Sequence, residues 1–329
     1  MEDIGRGAGG LQDVGGAMPT TIDCQYMHPE VAAAYLVRDG DEVAFVETNT
    51  AHAVPQLLAA LKAEGSSPEA VRWIAITHIH LDHAGGAGAL MQLCPNATLL
   101  AHPRAAPHAI DPARIVAGAT KVYGEARFAE LYGEVTPIDA SRVRVMEDGE
   151  QLDLGQRTWT FLHTRGHANH HFCIYDDVDN GVYTGDSFGI LYPAAQRAGL
   201  FAFPSTSPTD FDGVAALESI DRILGTGADR VWPTHFGEQT DLMGIADQLR
   251  EILERSMELI DRADASGLDG EALDGFFEQA VRRIFEERLN QLGLGGDGQL
   301  AEILSLDIDL NAQGLVFAVK KRRYKRSKR

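Results

Sequence analysis

The stretch Thr77-His78-Ile79-His80-Leu81-Asp82-His83-Ala84-Gly85-Gly86 sets three imidazoles and a carboxylate within six positions. It follows the apolar run Val71 to Ile76, which reads as a buried strand. A strand that ends in closely spaced nitrogen and oxygen donors is hard to explain except by metal. His78 and His80 are two apart, so in extended backbone both point to one side while Ile79 points into the core. Asp82 and His83 then fall on a turn opening a helix, with Gly85 and Gly86 allowing close backbone packing beneath them.

Three later segments repeat the logic. His167, within His163-Thr164-Arg165-Gly166-His167-Ala168-Asn169-His170-His171, follows the alternating β-rich run Thr158 to Leu162. Asp186 follows the short strand-like stretch at Tyr183, with Gly185 allowing a tight backbone before it. His235, in Trp232-Pro233-Thr234-His235-Phe236-Gly237, comes after Val231 and Trp232. Each candidate donor stands just past an expected strand, where open sheets place their sites.

With these segments the chain resembles the metallo-β-lactamase superfamily from about Ala32 to Gly237. Its H-x-H-x-D-H signature is matched by His78, His80, Asp82 and His83, and its later histidine, bridging aspartate and final histidine by His167, Asp186 and His235. The resemblance implies a four-layer αβ/βα sandwich with two divalent metal ions at one edge. One metal would be held by His78, His80 and His167, the other by Asp82, His83 and His235, with Asp186 bridging. Seven protein ligands, one of them shared, leave open positions for a bridging water or hydroxide, the mark of a catalytic site. Zinc is the first expectation for both metals, although imidazole–carboxylate sites also accept iron or manganese. The expected chemistry is hydroxide attack on an acyl or phosphoryl centre, with Asp82 orienting the nucleophile and passing its proton to the leaving group.

Departures within the family narrow the reaction. The name-giving zinc β-lactamases lack the bridging aspartate, and flavodiiron proteins replace the second histidine with glutamate. Quorum-quenching lactonases carry tyrosine three residues after the bridging aspartate, where Gly189 stands here; Tyr192 is the nearby substitute. The nearest match is the glyoxalase II-like group of thioester hydrolases, although Arg165 replaces its usual proline and its glutathione-binding residues have no counterpart. The expectation is therefore a metal-dependent hydrolase of a small thioester or ester. Alternatives are a mononuclear-iron, persulfide dioxygenase-like oxygenase, a lactonase or phosphoesterase, and a non-catalytic metal scaffold. His163, His170 and His171 are candidates to orient the ligands, His171 matching a histidine common in the family's loop. His28, His52, His102 and His108 read as structural or surface residues, with His102 the one nearest the expected cleft.

Composition fits a soluble cytoplasmic enzyme acting on a small molecule. The chain of 329 residues is 44% hydrophobic and 23% charged, with no apolar run long enough to span a bilayer. Cys24, Cys94 and Cys173 show no C-x-x-C spacing. The net charge is −19, but Lys320 to Arg329 holds eight basic residues and no acid; without that tail 21 basic residues face 48 acidic ones, a body charge of −27. Such a body repels a phosphate backbone, so nucleic acid is a poor substrate.

The organisation reads as a Gly-rich leader (1–20), a metallo-β-lactamase-fold domain (21–238), a helical hairpin (239–292), a closing segment (293–319) and a basic, solvated tail (320–329). Ala33 to Val37 and Glu42 to Val46 flank the hairpin turn Asp39-Gly40-Asp41. Ala53 to Glu64 and the inserted stretch Pro112 to Tyr132 read as helical. Residues 189–208, with Tyr192, Arg197, Phe201 and Phe203, are expected to shape the substrate site, Arg197 suiting a substrate carboxylate. Asp241 to Ala263 and Leu273 to Leu289 carry apolar residues at helical spacing, broken at Ser266-Gly267, and form a hairpin that caps the cleft or pairs with its copy in a homodimer. Ile303 to Leu310 and Leu315 to Val319 read as short closing strands.

Overall fold

The computed structural model describes residues 18–328. Most of the expected leader (1–17) lies outside the described residues.

Two sheets form the middle of the molecule. The first has six strands in chain order: β1 (Thr20–Asp23), β2 (Ala33–Asp39), β3 (Glu42–Val46), β4 (Val71–Ala75), β5 (Thr98–Ala101) and β6 (Val143–Val145). Strands β1 to β3 pair antiparallel, and β3 through β6 pair parallel. The second sheet has five strands in the order β11-β10-β9-β8-β7: β7 (Gln151–Leu154), β8 (Arg157–His163), β9 (Phe172–Asp176), β10 (Gly181–Gly185) and β11 (Arg230–Pro233). Only its β10–β11 pair is parallel.

Period-two patterning decides how the sheets stack. Ala33, Tyr35 and Val37 from β2, Ala44 and Val46 from β3, and Trp159, Phe161, Ile174, Tyr183 and Trp232 from the second sheet form one buried cluster between the sheets. Alternate residues face outward: Ala34, Leu36, Val43 and Phe45 pack beneath α1 (Val54–Ala63), α3 (Ala87–Leu93) and α4 (Ala106–Ile110). The outer face of the second sheet is covered by α8 (Gly213–Leu224), α9 (Leu242–Ser266), α10 (Gly270–Gln291) and α11 (Gly298–Ser327). The result is the four-layer α/β/β/α sandwich expected from the resemblance, with helices on both faces.

The inserted stretch is two helices, α5 (Ala113–Tyr123) and α6 (Glu125–Tyr132), divided by Gly124 at φ 78°. The hairpin of α9 and α10 is present, with Gly267 in the left-handed conformation ending α9.

The expected closing strands are absent. Ile303–Leu310 and Leu315–Val319 belong to the single helix α11, which also carries the basic tail as far as Ser327. Two features explain the difference. The Asp297 side chain caps the first turn by accepting from the backbone N–H of Gln299 and Leu300. Leu300, Leu304, Ile308, Ala312, Leu315 and Val319 recur at three- and four-residue intervals and bury one stripe against α9 and α10. Gly314 is a packing requirement: a Cβ there would lie 1.5 Å from the carbonyl oxygen of Thr206.

Candidate metal centre

All seven expected donors converge where the strands of both sheets end. β4 runs into His78 and His80, and the short helix α2 (Leu81–Ala84) presents Asp82 and His83. His167 follows β8, Asp186 follows β10 directly, and His235 follows β11. The β10–β11 register shifts between Tyr183 and Gly185, and Gly185 has φ 50°. A Cβ at Gly185 would lie 2.5 Å from both His171 Nε2 and Thr77 Oγ1, so glycine alone lets Asp186 reach its place.

The donors form two sets. His78 Nε2, His80 Nδ1 and His167 Nε2 face one another at 2.9, 3.0 and 3.2 Å. Asp82, His83 and His235 form the second set, with Asp82 Oδ2 3.7 Å from His83 Nε2 and 3.6 Å from His235 Nε2. Asp186 stands between them. Its Oδ2 is 3.4 Å from His167 Nε2, while its Oδ1 is 3.3 Å from His83 Nε2 and 3.6 Å from His235 Nε2.

The far sides of the rings are held by fixed partners. His167 Nδ1 donates to Ser205 O at 3.2 Å, and His235 Nδ1 donates to Val31 O at 2.7 Å. His83 Nδ1 lies 3.3 Å from Glu47 Oε1. The Thr77 hydroxyl donates to Glu47 and accepts from His78 Nδ1, 3.0 Å away. These contacts leave the Nε2 lone pairs of His78, His83, His167 and His235 aimed inward, as outer partners do in metal sites. His171 accepts from the Asp186 backbone N–H through Nε2 at 3.2 Å, so its Nδ1 is free to donate to Thr164 Oγ1 at 2.8 Å.

The electrostatics call for positive charge. Burial, followed by the neighbouring imidazoles, pushes His78 and His80 well below the ordinary imidazole range, so both are neutral donors. Burial would also lower His83, but Asp186, Asp82 and Glu47 outweigh it and push the ring up to about 10. Asp186 is buried, which alone would raise it; His83, His167 and His235 hold it far below the usual carboxylate range. His83 Nε2 and Asp186 Oδ1 are buried and make no hydrogen bond. Three ring nitrogens about 3 Å apart cannot all satisfy one another by sharing protons. A tetrahedral cation with bonds of about 2.0–2.1 Å would set such nitrogens about 3.3–3.4 Å apart. The donor chemistry of the two sets, with the Asp186 carboxylate between them, suits divalent cations.

Other expected residues fall in different places. Tyr192 reaches the site, its buried ring 6.1 Å centroid to centroid from His235. Arg197 does not: it is half-exposed and ion-paired with Asp297 at the start of α11. Phe201 and Phe203 pack against Phe285 of α10 instead of facing an open cleft. His170 lies 5.4 Å from His80 by ring centroids with its Nδ1 buried and unpartnered. His163 donates from Nε2 to Met146 O and stacks near the buried His102. His52 is exposed, its Nε2 3.1 Å from Ala129 O.

Glu47 and Asp307 were missed in the sequence. Glu47 ends the apolar strand β3 as His78 ends β4, a pattern visible in the chain although only one acid marks it. Asp307 has no such signal; it is one of two polar residues, with Asn311, on a largely apolar helical stripe.

A four-layer sandwich with two histidine–carboxylate donor sets at its strand ends defines a metal-binding hydrolase-type fold. Residues 29–248 match the family described as the metallo-beta-lactamase superfamily, and the chain belongs to it. It is similar to the metallo-beta-lactamase fold-containing protein ST1585 of Sulfurisphaera tokodaii, with 24% identity over 263 residues, covering 79% of this chain and 93% of that one. The crystal structure of ST1585, described as from Sulfolobus tokodaii, superposes with a TM-score of 0.60 at 20% identity, covering 90% of this chain and 97% of that chain. The metallo-beta-lactamase family protein TTHA1429 from Thermus thermophilus gives 0.62 at 20% identity and 93% coverage of both chains. These structural likenesses concern the fold. Among the described residues, no helix is long and apolar enough to cross a membrane.

Proposed function

We propose that the chain is a metal-dependent hydrolase of small acyl substrates, a thioester or ester, using two divalent cations with zinc the first choice. The observation that carries this reading is the Asp186 carboxylate, one oxygen turned to each donor set. Metals so placed would polarise the acyl carbonyl and bring the pKa of a shared water towards neutrality.

The remaining work falls to side chains. Asp82 is the catalytic base in this reading. Its side chain is 28% exposed while the neighbouring His83 is fully buried, so it borders both the donors and the open cleft. From there its Oδ2 can take a proton from the attacking water and release it to the leaving group. Glu47, through Thr77 and His83, and Ser205, through His167, fix the ring orientations. His171 fixes the backbone of Asp186. The preference for thioesters comes from the glyoxalase II-like resemblance of the motif set, which Arg165 and the missing glutathione contacts leave open to other acyl groups.

The test is metal quantification of natively purified protein together with a panel of thioesters, lactones and phosphoesters. Near two metals per chain with acyl hydrolysis is the expected result. One iron per chain with oxygen uptake would overturn it in favour of an oxygenase. Full metal occupancy without turnover of any panel member would leave a metal-binding scaffold.

A further inference from the structure

Of the imidazoles around the first donor set, two offer a nitrogen that no protein group answers. Among the five donor rings, His78, His83, His167 and His235 each have the nitrogen facing away from the centre held by a protein group. His80 does not. Its Nδ1 faces His78 and His167, while its Nε2 makes no hydrogen bond among the described residues and stays within reach of solvent. His170 is the other case. Its Nδ1 is buried without a partner, and its Nε2 is neither buried nor hydrogen-bonded among the described residues. The His80 and His170 rings meet edge to face, 5.4 Å apart at 85°, and His170 lies nearly parallel to His78 at 6.1 Å.

Imidazole chemistry decides how these nitrogens act. A metal at His80 Nδ1 would leave the ring's one proton on Nε2, turning a polarised N–H outward. A neutral His170 has one N–H and one acceptor nitrogen. With the proton on Nε2, which water reaches, only an acceptor is orphaned in the interior, the lesser cost by analogy with backbone groups. No carboxylate meets either N–H among the described residues. Asp186 is turned to His167, His83 and His235, and Asp82 to His83 and His235. Asp210 accepts instead from the backbone N–H of Asn169 at 3.1 Å.

The position of the pair says which part of a substrate it meets. Asp82 belongs to the second donor set, and in the hydrolase reading it returns its proton to the leaving group. The leaving group then departs on that side, and the acyl remainder lies over the first set, beside His80 and His170. Arg197, the sequence's candidate for a substrate carboxylate, is engaged by Asp297. Two neighbouring N–H donors suit that task, because one carboxylate accepts from both.

We propose that His80 Nε2 and His170 Nε2 form a subsite for a carboxylate on the acyl part of the substrate. The substrate class is then a thioester or ester of a dicarboxylic acid. The proposal rests on the hydrolase reading for the direction in which the substrate lies, but the carboxylate contact is measurable without turnover. His170, which is not a metal donor, is the residue that sets this specificity.

The test uses the zinc-loaded full chain. The substrates are S-glutaryl-N-acetylcysteamine and its monomethyl ester, read by thiol release; the binding probes are glutarate and monomethyl glutarate. His170→Phe keeps a ring and removes the N–H, whereas His170→Asn keeps a donor. With metal content shown to be equal, the kcat/KM ratio of acid to methyl ester is expected to fall about tenfold in His170→Phe, one hydrogen bond to a charged group being lost. In His170→Asn it should hold within about threefold. Glutarate, one carboxylate standing in for the cleaved acyl end, is expected to shift the imidazole nitrogen resonances of His80 and His170. It should bind about tenfold more weakly to His170→Phe, with monomethyl glutarate indifferent to the change. An unshifted His170 resonance in the wild type, or unchanged glutarate affinity in His170→Phe, overturns the proposal whatever the thioesters do. A substrate ratio unchanged in His170→Phe also overturns it. If His170→Phe loses metal, the wild-type resonances decide alone. If neither thioester is cleaved while glutarate binds through His170, the subsite stands and the hydrolase reading fails for this acyl class.

Discussion

The strand-end loops and the last helix meet through Tyr192–Asp307 and Thr206–Asn311, but they are specified by opposite routes. The loops carry their donors in short, dense motifs, six positions holding four of the seven. Helix α11 lies beyond the region matched by the family and contributes through single residues, Asp307, Asn311 and Gly314, spaced along one face. The difference separates two jobs. Four of the seven donors are supplied from one short turn, where backbone geometry fixes them with little freedom, and His167, Asp186 and His235 reach them from other strand ends. A residue that braces a neighbouring loop can be delivered by a long rigid element from far away in sequence.

If that division holds, changes in the loops should abolish chemistry and changes in α11 should alter fit and stability. Asp186→Ala should have the largest effect. Removing the shared carboxylate should lower metal content to one ion per chain or fewer and reduce kcat/KM by about 10³-fold or more, since metals supply several kcal/mol of charge stabilisation. Two metals per chain in that variant, with turnover retained, would break the comparison at its strongest point. Asp82→Asn should cost about 10²-fold in kcat once metal content is shown to be intact. Full turnover at full occupancy would remove Asp82 as the base.

The sequence was legible to the degree that information was local. His78, His80, Asp82 and His83 could be placed because a strand of period two and a turn dictate where their side chains point. His167, Asp186 and His235 followed from strand ends. In α11, Ile303 to Leu310 and Leu315 to Val319 read as strands because both runs are rich in branched residues. Its helical state is set by the Asp297 cap and by a surface on α9 and α10 that no local pattern announces. Arg197 illustrates the same limit: its partner, Asp297, is 100 positions away. Glu47 was visible in principle as a charged residue closing an apolar strand, but a single acid outside the motif does not distinguish itself.

Gly314→Ala sharpens the comparison from the side of α11. The added methyl would overlap the Thr206 carbonyl, which is backbone and cannot rotate away. Either the helix or the loop must move, costing about 2–3 kcal/mol by denaturant unfolding. Because Ser205, next to Thr206, accepts from His167, weaker metal retention should accompany the loss of stability. Asn311→Ala offers a milder version, removing the side-chain oxygen that accepts from Thr206 N and its hydroxyl. Loss of stability without any change in metal affinity would show that α11 braces the fold but not the donors.

The smallest effect concerns a histidine outside the donor sets. His102 is 5% exposed, its ring 4.2 Å from His163 by centroids, and its Nδ1 accepts from Arg104 N at 3.0 Å. Burial, followed by His163, His170 and Arg104, pushes it down to about 3 from 6.5. A histidine whose folded value is depressed favours the native state fully above its unfolded pKa, and that contribution is lost as pH falls below about 6.5, because only the unfolded chain takes up the proton. At pH 5 the penalty is about 2 kcal/mol. His102→Asn keeps an acceptor for the Arg104 N–H and removes the titration. In metal-free protein, so that ligand protonation is common to both, wild type should therefore lose about 2 kcal/mol more than His102→Asn between pH 7 and pH 5. Parallel losses would mean that the ring is protonated inside the fold at pH 5, in contact with water or a carboxylate, and that the boundary between donor and bystander histidines runs elsewhere.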